Sequence, residues 1–334
     1  SKYKGVNAEN GVSFMNKLIK NGTIVTELGK FNGDILIKDG KISTIGNNIN
    51  EVGAEIINAS GCYVMPGGID VHTHFDLQAG AHRAVDNYYT GSIAAACGGT
   101  TTIVDHIAFG PKECNLHHQV NEYYKLSEGK SVIDYSFHGV IQHVNDSILK
   151  EMEELFNDGI TSMKIYMTYD GKLDDSGIYD VLKKAKELGM IIAVHAENDG
   201  VINNLREKYS KEGLLTPEYH GKSRPQECEA EAINRISYIA DILEGAPLYI
   251  VHLSSETGLK ECLKIDERKQ KNVFVETCTQ YLLLTDEKYK DDIEGLKYTM
   301  SPPLRKEKDC EALWEGINNG TIDVVATDHC PFNF

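Results

Sequence analysis

The sequence predicts an α/β protein, a (β/α)8 barrel of the TIM type preceded by a small, β-sandwich-like N-terminal unit. Three observations predict it. From about residue 69 onward, eight short apolar runs alternate with amphipathic stretches, the pattern of repeated βα units around a parallel sheet. Before Pro66-Gly67-Gly68 the text is instead a series of β-rich runs punctuated by Asn-Gly and Asp-Gly. Side chains able to do chemistry also gather at the carboxyl ends of the apolar runs, the end at which barrels of this kind carry their active sites.

Taken in order, residues 1–14 (SKYKGVNAENGVSF) are polar and without period, and read as a leader outside the fold. Residues 15–64 form the small β unit, with Asn21-Gly22, Asn32-Gly33 and Asp39-Gly40 read as hairpin turns. Residues 65–334 form the barrel. Its strands are expected at 69–72, 101–105, 133–141, 162–166, 191–195, 248–252, 273–277 and 323–327. Helices are expected at 147–157, 177–188, 230–243 and 258–266. Gly98-Gly99 reads as a helix-to-strand turn. An open doubly wound sheet is the alternative, but its first strand would lead into a Gly-rich phosphate turn, and here that place holds His72-Thr73-His74. The chain stops seven residues after the eighth strand, where a closing helix should follow, so a C-terminal part is expected to be missing.

Composition narrows the function. Lys and Arg number 34 against 50 Asp and Glu, a net charge of −16 that argues against a nucleic-acid backbone or an anionic membrane as partner. No apolar run is long enough to span a bilayer. The eight cysteines are scattered without CxxC pairs, which predicts free thiols in a reducing cytoplasm.

The strand ends then carry the argument. The first strand ends in His72-Thr73-His74, the fourth runs into Lys164, the fifth ends at His195, the sixth at His252 and the eighth at Asp328. Neutral imidazole and carboxylate are ligands for zinc and related divalent ions. One histidine near a strand end is usually structural; four with an aspartate, at separate ends of one barrel, predict a metal site. Lys164 has two readings. It is a lysine snorkelling from a strand end or paired with an acid, or a neutral amine that has taken up carbon dioxide to become an anionic carbamate able to bridge two metals. His106 could face the same cavity. His138 and His143 read as packing or hydrogen-bonding within the barrel, and His117-His118 as a solvated helix start. His329 either turns away from the metals or supports them. Cys330 has no partner histidine signature and does not read as a nucleophile.

GGIDVHTHFD, MKIYMTY, VHAEN, YIVHLSS, VETCTQYLLLT, SPPLR and VVATDHCPF follow one another in an order that resembles the cyclic amidohydrolases. The likeness is to the D-hydantoinase/dihydropyrimidinase family, and within it to the bacterial D-phenylhydantoinase subgroup. AAACGGTTTIVDH, DYSFHGVIQH and SRPQECEAEAI strengthen that closer match. It runs from Met15 to the end. The resemblance implies a metallo-dependent hydrolase in which His72, His74 and Asp328 serve one metal, His195 and His252 the other, and a carboxylated Lys164 bridges both. It implies two divalent ions per subunit, zinc first, with manganese, cobalt or iron also suited to such ligands. Tyr169 corresponds to the tyrosine that contacts the substrate carbonyl, and Ser301 to a residue that holds the ring amide through its backbone. A family asparagine that contacts substrate falls beyond the last residue. The stretch 77–87, LQAGAHRAVDN, departs from the Pro- and aromatic-containing segment of many dihydropyrimidinases, so the preferred substituent stays open.

The implied reaction is ring opening of a cyclic amide by a metal-bridging hydroxide. Asp328 would act as general base and then acid, with Tyr169 stabilising the oxyanion. D-selective hydantoin hydrolysis yields an N-carbamoyl amino acid, and dihydropyrimidine hydrolysis an N-carbamoyl β-amino acid. Allantoinase and dihydroorotase share such metals, although no basic side chains placed for dihydroorotate's carboxylate stand out. A non-catalytic, hydantoinase-like scaffold is the reading from another class; such relatives have lost metal ligands, whereas all six are present here. The family also implies self-association as a tetramer or dimer, with a small cyclic amide or ureide as substrate.

Overall fold

The computed structural model describes residues 15–267 and 272–333, so the leader expected over 1–14 lies outside the described residues. The chain opens with β1 (Lys17–Thr26), β2 (Gly29–Lys38), β3 (Lys41–Gly46), β4 (Glu55–Asn58) and β5 (Tyr63–Val64). These form one sheet, ordered β3-β2-β1-β4, with β5 also on β1. Only one of the three turns expected from dipeptides is a turn. Asp39 and Gly40 take positive φ of 49° and 73° between β2 and β3, as a tight hairpin requires. Asn21-Gly22 and Asn32-Gly33 instead lie within β1 and β2, where Gly22 opposes Gly33 and the register shifts between Ile19 and Gly22. The positive φ that such dipeptides tolerate is spent at Asn21 (62°) on a bulge, and Asp34 accepts the Asn21 amide at 2.9 Å. The β1–β2 turn falls at Glu27-Leu28.

The barrel follows. Its first half comprises β6 (Gly68–Thr73), the two-residue β7 (Gln78–Ala79) and β8 (His82–Arg83), α1 (Tyr88–Cys97), β9 (Thr100–His106), α2 (Leu116–Ser127), β10 (Asp134–Val140) and α3 (Asp146–Asn157). Next come β11 (Ser162–Tyr166), α4 (Asp175–Leu188), β12 (Ile191–His195), α5 (Asp199–Lys211), α6 (Pro217–Ser223) and α7 (Gln226–Ile242). β13 (Leu248–Leu253), α8 (Glu256–Glu267), β14 (Val273–Cys278), α9 (Thr279–Leu283), α10 (Glu307–Asn319) and β15 (Val324–Ala326) complete it. Eight strands pair in parallel in the order β15-β14-β13-β12-β11-β10-β9-β6. β15 and β6 are joined by a single bridge, Thr73 to His329, and by side chains: Thr327 Oγ1 donates to Asp70 Oδ2 at 2.6 Å. The eight expected strands are all present. β15 is shorter than expected: Asp323 still donates its amide to the Val275 carbonyl (2.9 Å) but receives the Val275 amide on its side chain (2.8 Å), and Thr327 turns to bond Asp70.

Helices start where a short polar side chain meets the first free amides. Asn145, Asp174 and Asn198 accept from Ile148, Gly177 and Val201, capping α3, α4 and α5. α4 buries Ile178, Val181, Leu182 and Ala185, a stripe at helical spacing, and ends where Gly189 turns left-handed at φ 73°. Full burial of each such aliphatic side chain contributes ~1.5–3 kcal/mol. These stripes close over β11, β12 and β13, whose residues are almost all buried, so the strand ends are held rigidly. Gly98 caps α1 and Gly99, at φ 90°, makes the turn into β9.

Candidate metal centre

Strand alternation puts the side chains of His72 and His74, at the end of β6, on one side, and Asp328 meets them just after β15. Asp328 Oδ1 lies 3.1 Å from Nε2 of each histidine, and the three ligand atoms fall within 4.8 Å of one another. Across the barrel mouth, His252 Nε2 and His195 Nδ1 are 2.9 Å apart at the ends of β13 and β12. The rings of His72 and His252 are 5.6 Å apart. Lys164, from the middle of β11, is 1% exposed, and among the described residues no carboxylate forms an ion pair with it.

The hydrogen-bond partners fix which nitrogen of each ring is free. A carboxylate or carbonyl only accepts, so the nitrogen facing it carries the proton. Glu276 Oε1 receives His72 Nδ1 at 2.6 Å, the His106 carbonyl receives His74 Nδ1 at 3.1 Å, and Glu197 Oε2 receives His195 Nε2 at 2.7 Å. The remaining nitrogens, His72 Nε2, His74 Nε2 and His195 Nδ1, therefore point lone pairs inward. His72 Nε2 is buried without a hydrogen bond, facing a carboxylate oxygen that also has only lone pairs to offer. At His72, His74 and Asp328, electron-pair donors converging without a proton between them fit a cation, whereas His252 Nε2 donates to His195 Nδ1; imidazole-plus-carboxylate is the donor set of zinc and its neighbours.

The electrostatics agree. Burial alone would push the His72 imidazole down, yet Asp328 and Glu276 raise it to about 9, so this position calls for positive charge. Burial pushes His74, His195 and His252 down, keeping those rings neutral. Burial would raise Asp328, but the positive charge favoured at His72 holds it well below the usual carboxylate range. Burial pulls the Lys164 amine down to about 8, against the charges of Asp328 and Glu276.

Four non-glycine residues of this region have left-handed backbone: Asp76 (φ 54°), Tyr169 (φ 72°), His252 (φ 41°) and Asp328 (φ 53°). Such conformations persist where surrounding structure over-determines them. Tyr169 follows β11; its ring lies 5.2 Å from that of His195, and its phenol interacts with the Ser301 side chain. Both line a cavity of about 1000 Å³ whose floor is the histidine cluster. Leu77, Gln78, Ala79 and Gly80, leading into and through the first strand of the β7–β8 hairpin, form part of its wall. That hairpin is pinned at its base by Arg83 to Asp76 (2.6 Å) and by His329 Nε2 to Asp86 (2.7 Å). His329 thus turns away from the centre.

The remaining candidates separate cleanly. His106 stacks its ring on His138 at 4.1 Å and packs it against His72 at 4.2 Å, both ring nitrogens buried without a hydrogen bond, while its carbonyl holds His74. His138 bonds Ser162 Oγ and the Val71 carbonyl, and His143 borders a different cavity beside the start of α3. His118 is exposed, but His117, expected on a solvated face, pairs with Glu151 at 2.8 Å. Cys330 lines the main cavity with its thiol pushed up to about 12 by burial, a poor nucleophile, and all eight cysteines are free thiols.

Sequence reasoning missed four side chains. Glu276 holds His72 and also accepts the Tyr249 hydroxyl (2.7 Å) and the His252 amide (3.0 Å). Cys278 donates to the same carboxylate at 3.8 Å. Glu197 holds His195 and is paired with buried Arg224. Asp105 receives Thr73 Oγ1, the Phe75 amide and the Tyr88 hydroxyl at 2.6–2.9 Å, bracing the residues on either side of His74. All but Asp105 lie in motifs that hold or flank ligands, VETC and VHAEN, which was the available signal.

Comparison with known proteins supplies the remaining context. The amidohydrolase family profile matches residues 63–333. The chain is 50% identical over 320 residues to a D-phenylhydantoinase of Escherichia coli (strain K12), covering 96% of this chain and 69% of that one. It superimposes on the crystal structure of a dihydropyrimidinase from Brevibacillus agri NCHU1002 with a TM-score of 0.93 at 41% identity, over 96% of this chain and 70% of that one. An L-hydantoinase (dihydropyrimidinase) from Arthrobacter aurescens aligns with a TM-score of 0.83 at 27% identity, covering 94% and 69%. No helix among the described residues is long and apolar enough to cross a membrane.

Proposed function

The chain belongs to the amidohydrolase family, and on that premise we propose that it opens the ring of 5-substituted hydantoins, with D selectivity, and of dihydropyrimidines. The observation that carries this is the convergence of His72, His74 and Asp328, beside His195 and His252, on the floor of a cavity that Tyr169 and Ser301 overlook. His72, His74 and Asp328 would hold one divalent ion and His195 and His252 a second. Lys164 would hold both once its neutral amine adds to carbon dioxide, forming an N–C bond and releasing a proton to leave a carbamate. Zinc is the first choice for these donors. When bound, such a pair supplies Lewis-acid polarisation of a carbonyl and a nucleophilic water near neutral pH.

The protein's own groups do the rest. Asp328, held as a carboxylate, accepts the proton of the attacking water and passes it to the ring nitrogen as the amide bond breaks. The Tyr169 hydroxyl donates to the carbonyl oxygen as it gains charge. Ser301 holds the ring amide through its backbone. Hydantoins give N-carbamoyl amino acids, and dihydropyrimidines N-carbamoyl β-amino acids. Free thiols at all eight cysteines support placement in a reducing cytoplasm, and the family likeness supports a tetramer or dimer.

The test is a substrate panel with zinc-loaded protein: hydantoin, D- and L-5-phenylhydantoin, dihydrouracil, allantoin and dihydroorotate. Ring opening of the D-phenyl compound ahead of its enantiomer is expected. Hydrolysis confined to allantoin or dihydroorotate would move the protein to those activities, and metal binding without any hydrolysis would make it a scaffold.

A further inference from the structure

Two motifs of the sequence, SRPQEC and SPPLR, supply more than the amide contact at Ser301. Arg224, between α6 and α7, is 3% exposed, and its guanidinium pairs with Glu197, itself wholly buried. Glu197 Oε2 also receives His195 Nε2, so one oxygen ties the arginine to an inward-facing histidine. The same guanidinium lies over the Tyr169 ring, 5.4 Å from its centroid. Arg224 is fixed in turn: its carbonyl accepts Arg305 Nη1 at 2.5 Å, and Arg305 Nε donates to Ser254 Oγ, two residues beyond His252. Ser254 and Ser255 both bond Glu229. Two buried carboxylates and two guanidiniums therefore balance in charge and join the ends of β12 and β13 to the cavity wall.

We propose that Arg224 is a positioning residue for both halves of the reaction centre: through Glu197 it fixes the ring of His195, and by lying across Tyr169 it sets the direction of that hydroxyl. A guanidinium is suited to this because it is planar, always charged and able to pair at its edge while stacking on its face. A lysine here would keep the charge beside Glu197 but offer no face to Tyr169. The inference rests on the hydantoinase reading for its catalytic half only; the histidine half stands on metal affinity.

Five variants test it: Arg224→Gln and Arg224→Lys, each made with Tyr169 and with Tyr169→Phe, and Tyr169→Phe alone. Zinc affinity by titration, melting by circular dichroism, and kcat and KM for D-5-phenylhydantoin at saturating zinc are compared with the unsubstituted chain. Arg224→Gln should bind zinc at least about tenfold more weakly, the usual effect of losing a partner that orients a ligand. At saturating zinc its kcat should fall about tenfold with KM little changed, and that fall should shrink to under about twofold once Tyr169 is Phe, because coupled residues are not additive. Arg224→Lys, the variant to rely on if Arg224→Gln does not fold, should keep zinc affinity and lose kcat. Unchanged zinc affinity in Arg224→Gln, full kcat in Arg224→Lys, or losses that multiply with Tyr169→Phe would overturn the proposal. If the unsubstituted chain hydrolyses no cyclic amide, the reading of function fails, while the zinc titrations still decide the role toward His195.

Discussion

His72 Nδ1 lies 2.6 Å from Glu276 Oε1, and the same carboxylate accepts the Tyr249 hydroxyl and the His252 amide. One buried acid thus sets the tautomer of a histidine on one side of the cavity and the backbone of a histidine on the other. Burial would raise Glu276, but the charge and hydrogen bond of His72 hold it down to about 2.

Glu276→Gln keeps the shape and removes the charge. Its zinc affinity should fall about 10- to 100-fold, as for other outer partners of metal-bound histidine, with secondary structure retained. Zinc titration of the metal-free protein measures it; affinity equal to that of the unsubstituted chain would show that Glu276 only packs.

The contrast between Glu276 and its neighbours shows what was readable in the sequence. The ligand side chains announce themselves by type, because four imidazoles at the ends of apolar strands are seldom all structural. The barrel strands over 162–166 and 191–195 are equally plain, being short apolar runs bounded by turns and buried on both faces. Glu276, Glu197 and Arg224 are charged residues whose burial depends on partners from other strands and loops, and no local spacing reveals that. Asn21-Gly22 and Asn32-Gly33 misled for a related reason: a dipeptide that permits left-handed backbone does not say whether the chain reverses or merely bulges, and pairing partners decide.

Tyr169 is held by left-handed backbone and packed against the His195 ring and the Arg224 guanidinium, so Phe fits the same space. Tyr169→Phe should lower kcat about 10²- to 10³-fold, the cost of one oxyanion donor, while both zinc ions remain. Metal analysis beside steady-state kinetics separates the two effects, and loss of zinc would remove Tyr169 from the role assigned to it.

Lys164 is buried at the cavity floor with no ion-pairing carboxylate among the described residues, its amine over the Tyr166 ring at 5.2 Å, which favours a neutral amine open to carbon dioxide. Reconstitution of metal-free protein with zinc should therefore be faster and more complete with added bicarbonate. Lys164→Met should fold yet hold fewer ions, because the apolar side chain fills the space without supplying oxygen ligands. Equal zinc uptake with and without bicarbonate in the unsubstituted chain would argue against carbamate formation.

Asp34 offers a pH test away from the centre. The amides of Asn21 and Ile49 donate to its carboxylate at 2.9 and 3.0 Å and lower its pKa below the ordinary 3.8. A group whose folded value is depressed stabilises the fold above its unfolded pKa and loses that contribution as the pH falls through the folded one. Asp34→Ala should cost about 1–3 kcal/mol near neutrality by leaving two amides unpaired, and the difference from the unsubstituted chain should narrow below pH 3.8. A difference that stays constant through that range, followed by thermal melts, would show that the carboxylate charge plays no part.

The wall of the cavity should govern the substituent and leave the chemistry alone. Leu77 to Gly80 reach the cavity from a loop whose base is anchored by Asp76–Arg83 and Asp86–His329, so side chains there can change without releasing the centre. Leu77→Ala removes apolar surface against which a ring substituent would pack; losing that contact costs about 1–3 kcal/mol, or roughly 10- to 200-fold in specificity. KM for D-5-phenylhydantoin should rise, whereas unsubstituted hydantoin, which has nothing to place there, should be opened with nearly unchanged kcat and KM. Parallel losses on both substrates would mean that Leu77 supports the centre itself, because a wall that touches only the substituent cannot distinguish an enzyme lacking that contact from a substrate lacking the group.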